Sequence, residues 1–239
     1  AAGDAADRVL TDYASSLAIR LEEHPADAAT DLTAVESLRR ILDAARFAPS
    51  GGNRQGAHVV VVRDPSVRRQ LGDLCEPTVR LYAAQVAAGE APFNSVVPTS
   101  VDMAAARRTA SAAGEPPMFQ RLDAVPVVLV VSVDLAVVAS VDKDMDRVGL
   151  VSGGSVYPLV WNILLAARAE GYGGVITTLV VPAEEQVKEL LGLPSTHAVA
   201  ALVPLGRPVR QLSRLRRRAV EEFVTVDRFD GLPLVVATA

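Results

Sequence analysis

Between Ala44 and Gln55 the chain reads AARFAPSGGNRQ, which places a hydroxyl, two amides and a guanidinium close together on Ser50, Asn53, Arg54 and Gln55. Pro49 precedes them, and Gly51 and Gly52 free backbone N–H groups among them. A turn of this kind can offer donors and acceptors to a polar planar ring. An ordinary polar loop between a helix and a strand has the same composition, because loops carry polar residues in any case.

A second stretch, GYGGVITTL from Gly171 to Leu179, follows a segment rich in alanine and leucine. Its glycines let the backbone pass close to a neighbour, and Ile176, Thr177, Thr178 and Leu179 can turn N–H groups toward a ligand. It lacks the spacing of a dinucleotide fingerprint or a P-loop, so a helix cap feeding a strand explains it equally well when taken alone. The third stretch is Arg214, Arg216, Arg217 and Arg218. Arginine forks match phosphate oxygens, and a solvated face or salt bridges to Glu221 and Glu222 are the alternatives.

No Gly-x-Ser-x-Gly elbow occurs, and His24, His58 and His197 are scattered without metal-ligand spacing. His58 and His197 sit at strand starts, which suits structural roles. No metal site is expected. The lack of an obvious acid–base residue points to chemistry carried by a cofactor, for which the protein supplies position and electrostatics.

These stretches need elements to hold them. Val9, Tyr13 and Leu17 predict a helix over Ala5 to Arg20, and Leu21 to Asp31 reads as a link. Thr33 and Glu36 form a capping box for a helix reaching about Phe47, with Val35, Leu38, Leu42 and Ala45 at helical spacing. His58 to Val62 reads as a buried strand. Asp64-Pro65-Ser66 caps a helix running to about Ala88. Gly89 to Pro117 is weakly patterned, with a short helix near Val101 to Ala112, and long irregular segments of this kind often serve as lids. Phe93, Met103, Met118 and Phe119 belong to this lid candidate or flank it. Val125 to Val133 predicts a core strand. Arg147 to Glu170 predicts the longest helix, with Val156, Val160, Ile163, Leu164 and Ala167 on one face and Gly171 as its cap. Tyr172 to Val180 predicts a strand, Pro182 opens a helix ending at Gly192, and Ala198 to Leu205 predicts another strand. Neither repeat nor linker is visible, so the chain reads as a single domain of α+β or α/β class around one central sheet.

The composition agrees. Half of the 239 residues are hydrophobic, enough for one full core. A formal charge of −4 gives no long-range pull toward nucleic acid or an anionic membrane. The longest apolar run, Val125 to Val133, falls far short of the roughly 20 residues of a spanning helix. Cys75 is the one cysteine, which excludes an intrachain disulfide, and it reads as a buried filler. A cytoplasmic location is expected, since the N-terminus, with Asp4 and Asp7 among alanines, does not read as a signal peptide.

Taken in order, LRRILDAARFAPSGGNRQ, VVVVRDPSVRRQL, WNILLAARAEGYGGVITTL, EEQVKELLGLPSTHAVAALVPLGRP and RRRAVEEFV resemble the nitroreductase family of FMN enzymes, over nearly the whole chain from about residue 33. The resemblance implies an α+β fold with a central mixed sheet wrapped by helices, in an interlocked homodimer with FMN between the subunits. It assigns flavin contacts to Pro49, Ser50, Gly51, Asn53 and Gln55, with Pro158 near the ring. It sets a backbone N–H from Ile176, Thr177, Thr178 or Leu179, with Thr178 and Leu179 favoured, near the reactive edge. It gives the phosphate to Arg20, Arg216 and Arg218, and a C-terminal arm from about Val220 to the partner subunit. The implied activity is reduction of nitroaromatics, quinones or related small acceptors by NAD(P)H in a two-step hydride relay. Dehalogenation, desaturation, flavin cleavage and a binding protein with weak or no FMN are the alternatives. Two departures stand out. Ser16, Leu17 and Ala18 replace expected phosphate donors beside Arg20, and Gly56-Ala57 stands where a proline and a tryptophan are common, leaving the pocket wall smaller.

Overall fold

A computed structural model describes residues 35–108, 121–208 and 215–235. The helix over Ala5 to Arg20, the link to Asp31, Thr33 of the capping box, Arg20, Arg214, Met118, Phe119 and positions 109–117 of the lid candidate lie outside the described residues.

The chain forms two compact units, Ala1–Val209 and Arg210–Ala239. In the first, the described elements are α1 (Val35–Ala45), β1 (Ala57–Val62), α2 (Pro65–Ala87), α3 (Met103–Arg108), β2 (Val127–Asp134), α4 (Tyr157–Ala169), β3 (Gly173–Gly174), α5 (Glu184–Leu191) and β4 (His197–Gly206). The strands lie in the order β1-β2-β4-β3.

β2 explains the layering. Its residues alternate between two cores, Val127, Leu129, Val131 and Val133 to one side and Val128 and Val130 to the other. The first core is closed by α1 and α4 through Leu38, Ile41, Val160, Ile163 and Ala167. The second is closed by α2 and α5 through Leu71, Cys75, Val79 and Val187. A strand covered on both faces must be apolar at every position, which is why Val125 to Val133 reads as an unbroken run. Ser132 is the exception at the end of the run. It is fully buried, and its Oγ lies 3.0 Å from Nδ1 of His197. His58 meets His197 edge to face, with ring centroids 6.2 Å apart, so both histidines serve the sheet.

Cys75 is fully buried on α2, and burial pushes its thiol up to about 12. Asp64 caps α2 by accepting the Ser66 N–H at 2.7 Å. Gly171 at φ +84 and Gly192 at φ +66 end α4 and α5 in the left-handed conformation that glycine adopts without strain.

Four sequence expectations are corrected. The sheet was expected to be mixed, yet every pairing among the described strands is antiparallel. The β3–β4 connection carries α5 and the β1–β2 connection carries α2 and α3, yet both pairs return antiparallel, because a helix in a connection does not by itself fix the direction of return. β1 was expected to be buried, yet it is an edge strand and only Val62 is fully covered. The helix expected from Arg147 begins at Tyr157, after a 3-10 turn over Ser152–Ser155, and α2 is longer. Gly149, Gly153 and Gly154 weaken helix propensity just where it was expected to start. The strand expected over Tyr172 to Val180 pairs only at Gly173–Gly174 and again at Thr177.

The second unit is described from Leu215. A 3-10 turn covers Val220–Glu222, and a small hairpin follows, in which Val226 N–H donates to Leu232 O at 2.9 Å and Leu234 N–H to Val224 O at 3.1 Å. Phe223, Phe229, Leu232 and Leu234 are exposed on it.

Among the described residues no helix is long and apolar enough to cross a membrane, and no group of three or more His, Cys, Asp or Glu could hold a metal ion.

Candidate functional site

The turn after α1 is built against backbone preference. Gly52, Asn53 and Gln55 all have positive φ, at +62, +53 and +52. Asn accepts this region more readily than most residues, and Gln less so. Two hydroxyls hold the turn. Ser50 Oγ accepts the Gln55 N–H at 3.0 Å, and Ser155 Oγ accepts the Gly51 N–H at 3.1 Å. Arg54 reaches Val137 O at 3.3 Å. Pro49, Gly51, Asn53 and Gln55 are left exposed, with the Gln55 amide bent back toward Asn53 O at 3.4 Å. Gly56 then runs against the turn that follows β2. A side chain there would meet Val138 Cγ1 at 2.9 Å and Val137 Cγ1 at 3.2 Å. The volume that a larger residue at position 56 would fill is thus occupied by two valines.

The second stretch is fixed by β4. Thr177 N–H donates to Leu202 O at 3.0 Å, and Leu202 N–H returns to Thr177 O at 2.8 Å. Thr177 is buried and its amide is spent, so it drops out as a ring donor. Leu179 N–H points to Thr177 Oγ1 at 3.4 Å. The amides of Ile176 and Thr178, on either side of the anchored residue, donate to nothing among the described residues. Gly174 lets this turn approach the core. A Cβ there would come within 2.7 Å of Leu164 Cδ2 and 3.1 Å of Pro204 O.

The start of α4 links the two stretches. Ser155 holds the first turn, and two residues later Tyr157 OH donates to Ala200 O at 3.3 Å on β4, two residues before Leu202. Pro158 follows in the first turn of α4 and is half-buried. Ser155 escaped the sequence reading. Its signal was Gly153-Gly154-Ser155 directly before an apolar periodic run, a helix-start pattern.

Behind Val137 the chain makes a long turn to Val151, pinned by Asp142. This carboxylate is 2% exposed and accepts Leu150 N–H at 2.7 Å and an Arg147 N–H at 3.0 Å. The Leu150 bond is the leading cause of its pKa being held down to about 2. A depressed pKa adds stability that is present above the unfolded value near 4 and is lost as pH falls through about 2. Pepsin cleavage within 141–151 should therefore rise as pH drops from about 4 to 2, relative to Asp142→Asn, which should be cut readily at pH 4 already. Equal cleavage of both proteins at pH 4 would remove Asp142 as the pin.

Arg216 and Arg218 belong to the second unit. Both are exposed, and among the described residues neither pairs with Glu221 or Glu222. The Arg218 guanidinium lies 5.8 Å from the Phe223 ring centroid, and Arg217 donates to Arg216 O at 2.7 Å. Of the two alternatives, the ion pairs to Glu221 and Glu222 do not form among the described residues, whereas the exposure fits a solvated face.

An antiparallel sheet between two helical layers defines an α+β protein. The description of the nitroreductase family matches residues 29–207, and the chain belongs to that family. It is 32% identical over 195 residues to an NADH dehydrogenase of Thermus thermophilus, covering 78% of this chain and 83% of that protein. Among solved structures it is similar to the NADPH:FMN oxidoreductase of Vibrio harveyi complexed with NAD+, at 21% identity and TM-score 0.55, covering 83% and 70% of the two chains. It is also similar to iodotyrosine deiodinase bound to FMN and 3-iodo-L-tyrosine, at 22% identity and TM-score 0.55, covering 92% and 100%.

Proposed function

We propose that the protein is an FMN-dependent oxidoreductase that uses NAD(P)H and acts as a homodimer. The observation that carries this reading is the pair of unspent amides at Ile176 and Thr178, flanking a residue locked to β4. Such donors are preorganised and cost no rearrangement when charge develops on a ligand beside them. FMN held there would supply two-electron transfer between the nicotinamide and a nitroaromatic, quinone or related acceptor.

The chain's own residues fit that group. Asn53 and Gln55 offer amides to the polar edge of a ring, and Ser50 shapes their turn from within. Pro49 and Pro158 offer rigid apolar contact. Arg216 and Arg218 are proposed as phosphate donors on their chemistry alone, with forked guanidinium groups not engaged by neighbouring glutamates.

The homodimer is supported by the outer face of α4. Tyr157, Trp161 and Leu165 recur at a spacing of four and are 42%, 57% and 49% exposed, on a helix whose other face is core. An exposed apolar stripe of this kind marks an interaction surface. The apolar side chains of the 215–235 unit call for cover as well.

The purified protein should show flavin absorption or take up added FMN at micromolar concentration, and anaerobic NADH or NADPH should bleach the bound flavin in stopped-flow mixing. A protein that stays colourless with added FMN overturns the flavin reading. A flavin that binds but is not bleached overturns the NAD(P)H half.

A further inference from the structure

We infer that Ser155 is a positioning residue of the flavin cradle, clamping the Ser50–Gln55 turn in its binding conformation from the start of α4; this rests on the flavin reading above. The turn needs an external hold. Three of its residues sit at positive φ, two of them bearing side chains, and each such placement persists only when its surroundings enforce it. The Ser50–Gln55 bond is internal to the turn, and the Arg54–Val137 bond is long and exposed. The Ser155 bond to Gly51 is the partly buried tie to a helix.

Ser155 itself is well seated. It is 7% exposed and closes a 3-10 turn that leads into α4. Just before it, Gly153 packs so closely on the Tyr157 ring that a Cβ would stand 3.1 Å from Tyr157 Cδ2, and Tyr157 is tied to β4 through Ala200 O. The hydroxyl accepts from Gly51 and donates to no group among the described residues, so its proton remains available to a ligand lying in the turn. One oxygen thereby fixes the first ring-side turn to the element that carries Pro158. The ordering cost of the turn is met on folding rather than on binding, which is how preorganisation raises affinity.

The test compares wild type, Ser155→Ala and Ser155→Thr. In the flavin-free protein, amide hydrogen exchange of a peptide spanning 49–56 should speed up at least about tenfold in Ser155→Ala, while the β2 and β4 peptides keep their protection. The Kd for FMN should rise about tenfold, the loss expected for one hydrogen bond, and Ser155→Thr should restore both readouts to within about threefold. Should the alanine variant fold poorly, Ser155→Cys keeps the volume with a weak acceptor and should show the same two losses. Unchanged exchange in 49–56 overturns the clamp whether or not FMN binds. Faster exchange with unchanged FMN affinity overturns its role in the cradle. Wild type that binds no FMN overturns the flavin reading, and the exchange arm still decides the clamp.

Discussion

Gly174→Ala is expected to destabilise the first unit by about 1–3 kcal/mol, the usual cost of forcing extra volume into a packed site. The added methyl has nowhere to go. Leu205 and Leu164 press on the position from the core, and the Pro204 carbonyl closes the third side. Two of these neighbours are side chains that can turn, but both belong to the core between the sheet and α4, so their movement spreads to Val160, Ile163 and Leu205 packing. For a chain of this size the thermal midpoint should fall by about 2–12 °C. The turn that carries Ile176 and Thr178 begins two residues later, so FMN affinity should fall as well. Gly154→Ala is the matching control, because a Cβ there meets nothing within 4 Å. A Gly174→Ala protein that melts with wild type would mean that β3 does not approach β4 as described.

Replacing Arg216 and Arg218 together should have the largest effect on cofactor retention. A hydrogen bond to a charged group contributes about 1.5–3 kcal/mol, so each single Ala variant should weaken FMN binding by about 10- to 150-fold. The double variant should elute from purification largely free of flavin. Both residues are exposed, so the thermal midpoint of the flavin-free protein should not move. The salt dependence separates phosphate contact from general destabilisation. FMN affinity of the wild type should drop as ionic strength rises, and that slope should flatten in the variants. Riboflavin, which lacks the phosphate, should bind wild type and double variant alike. Equal FMN affinity in all the proteins would move the phosphate site elsewhere.

Most of the scaffold was legible, for a physical reason. α1, α2 and α5 bury one stripe against the sheet, β2 and β4 are covered on both faces by two helical layers, and burial writes its period into the sequence. The start of α4 was not legible. Val148, Val151 and Val156 imitate helical spacing, yet Asp142 draws the N–H of Leu150 to itself from eight residues away, and no local pattern records such a bond. β3 failed for a related reason. Tyr172 to Val180 has strand composition, but pairing there depends on which residues β4 presents, and only Gly173, Gly174 and Thr177 find partners. At the site, the residue types of both turns were visible beforehand. That Thr177 would lose its amide to Leu202 was not, because that choice is made by tertiary contact.

The buried thiol of Cys75 has a practical side. Alkylating reagents and disulfide probes react with thiolates, and a cysteine on the core-facing side of α2 with its thiol pushed up to about 12 offers none at neutral pH. Any cysteine placed on the surface of this chain would be the single reactive handle. Fluorophores, spin labels or cross-linkers can be attached at one chosen position without first removing the native sulfur from the core.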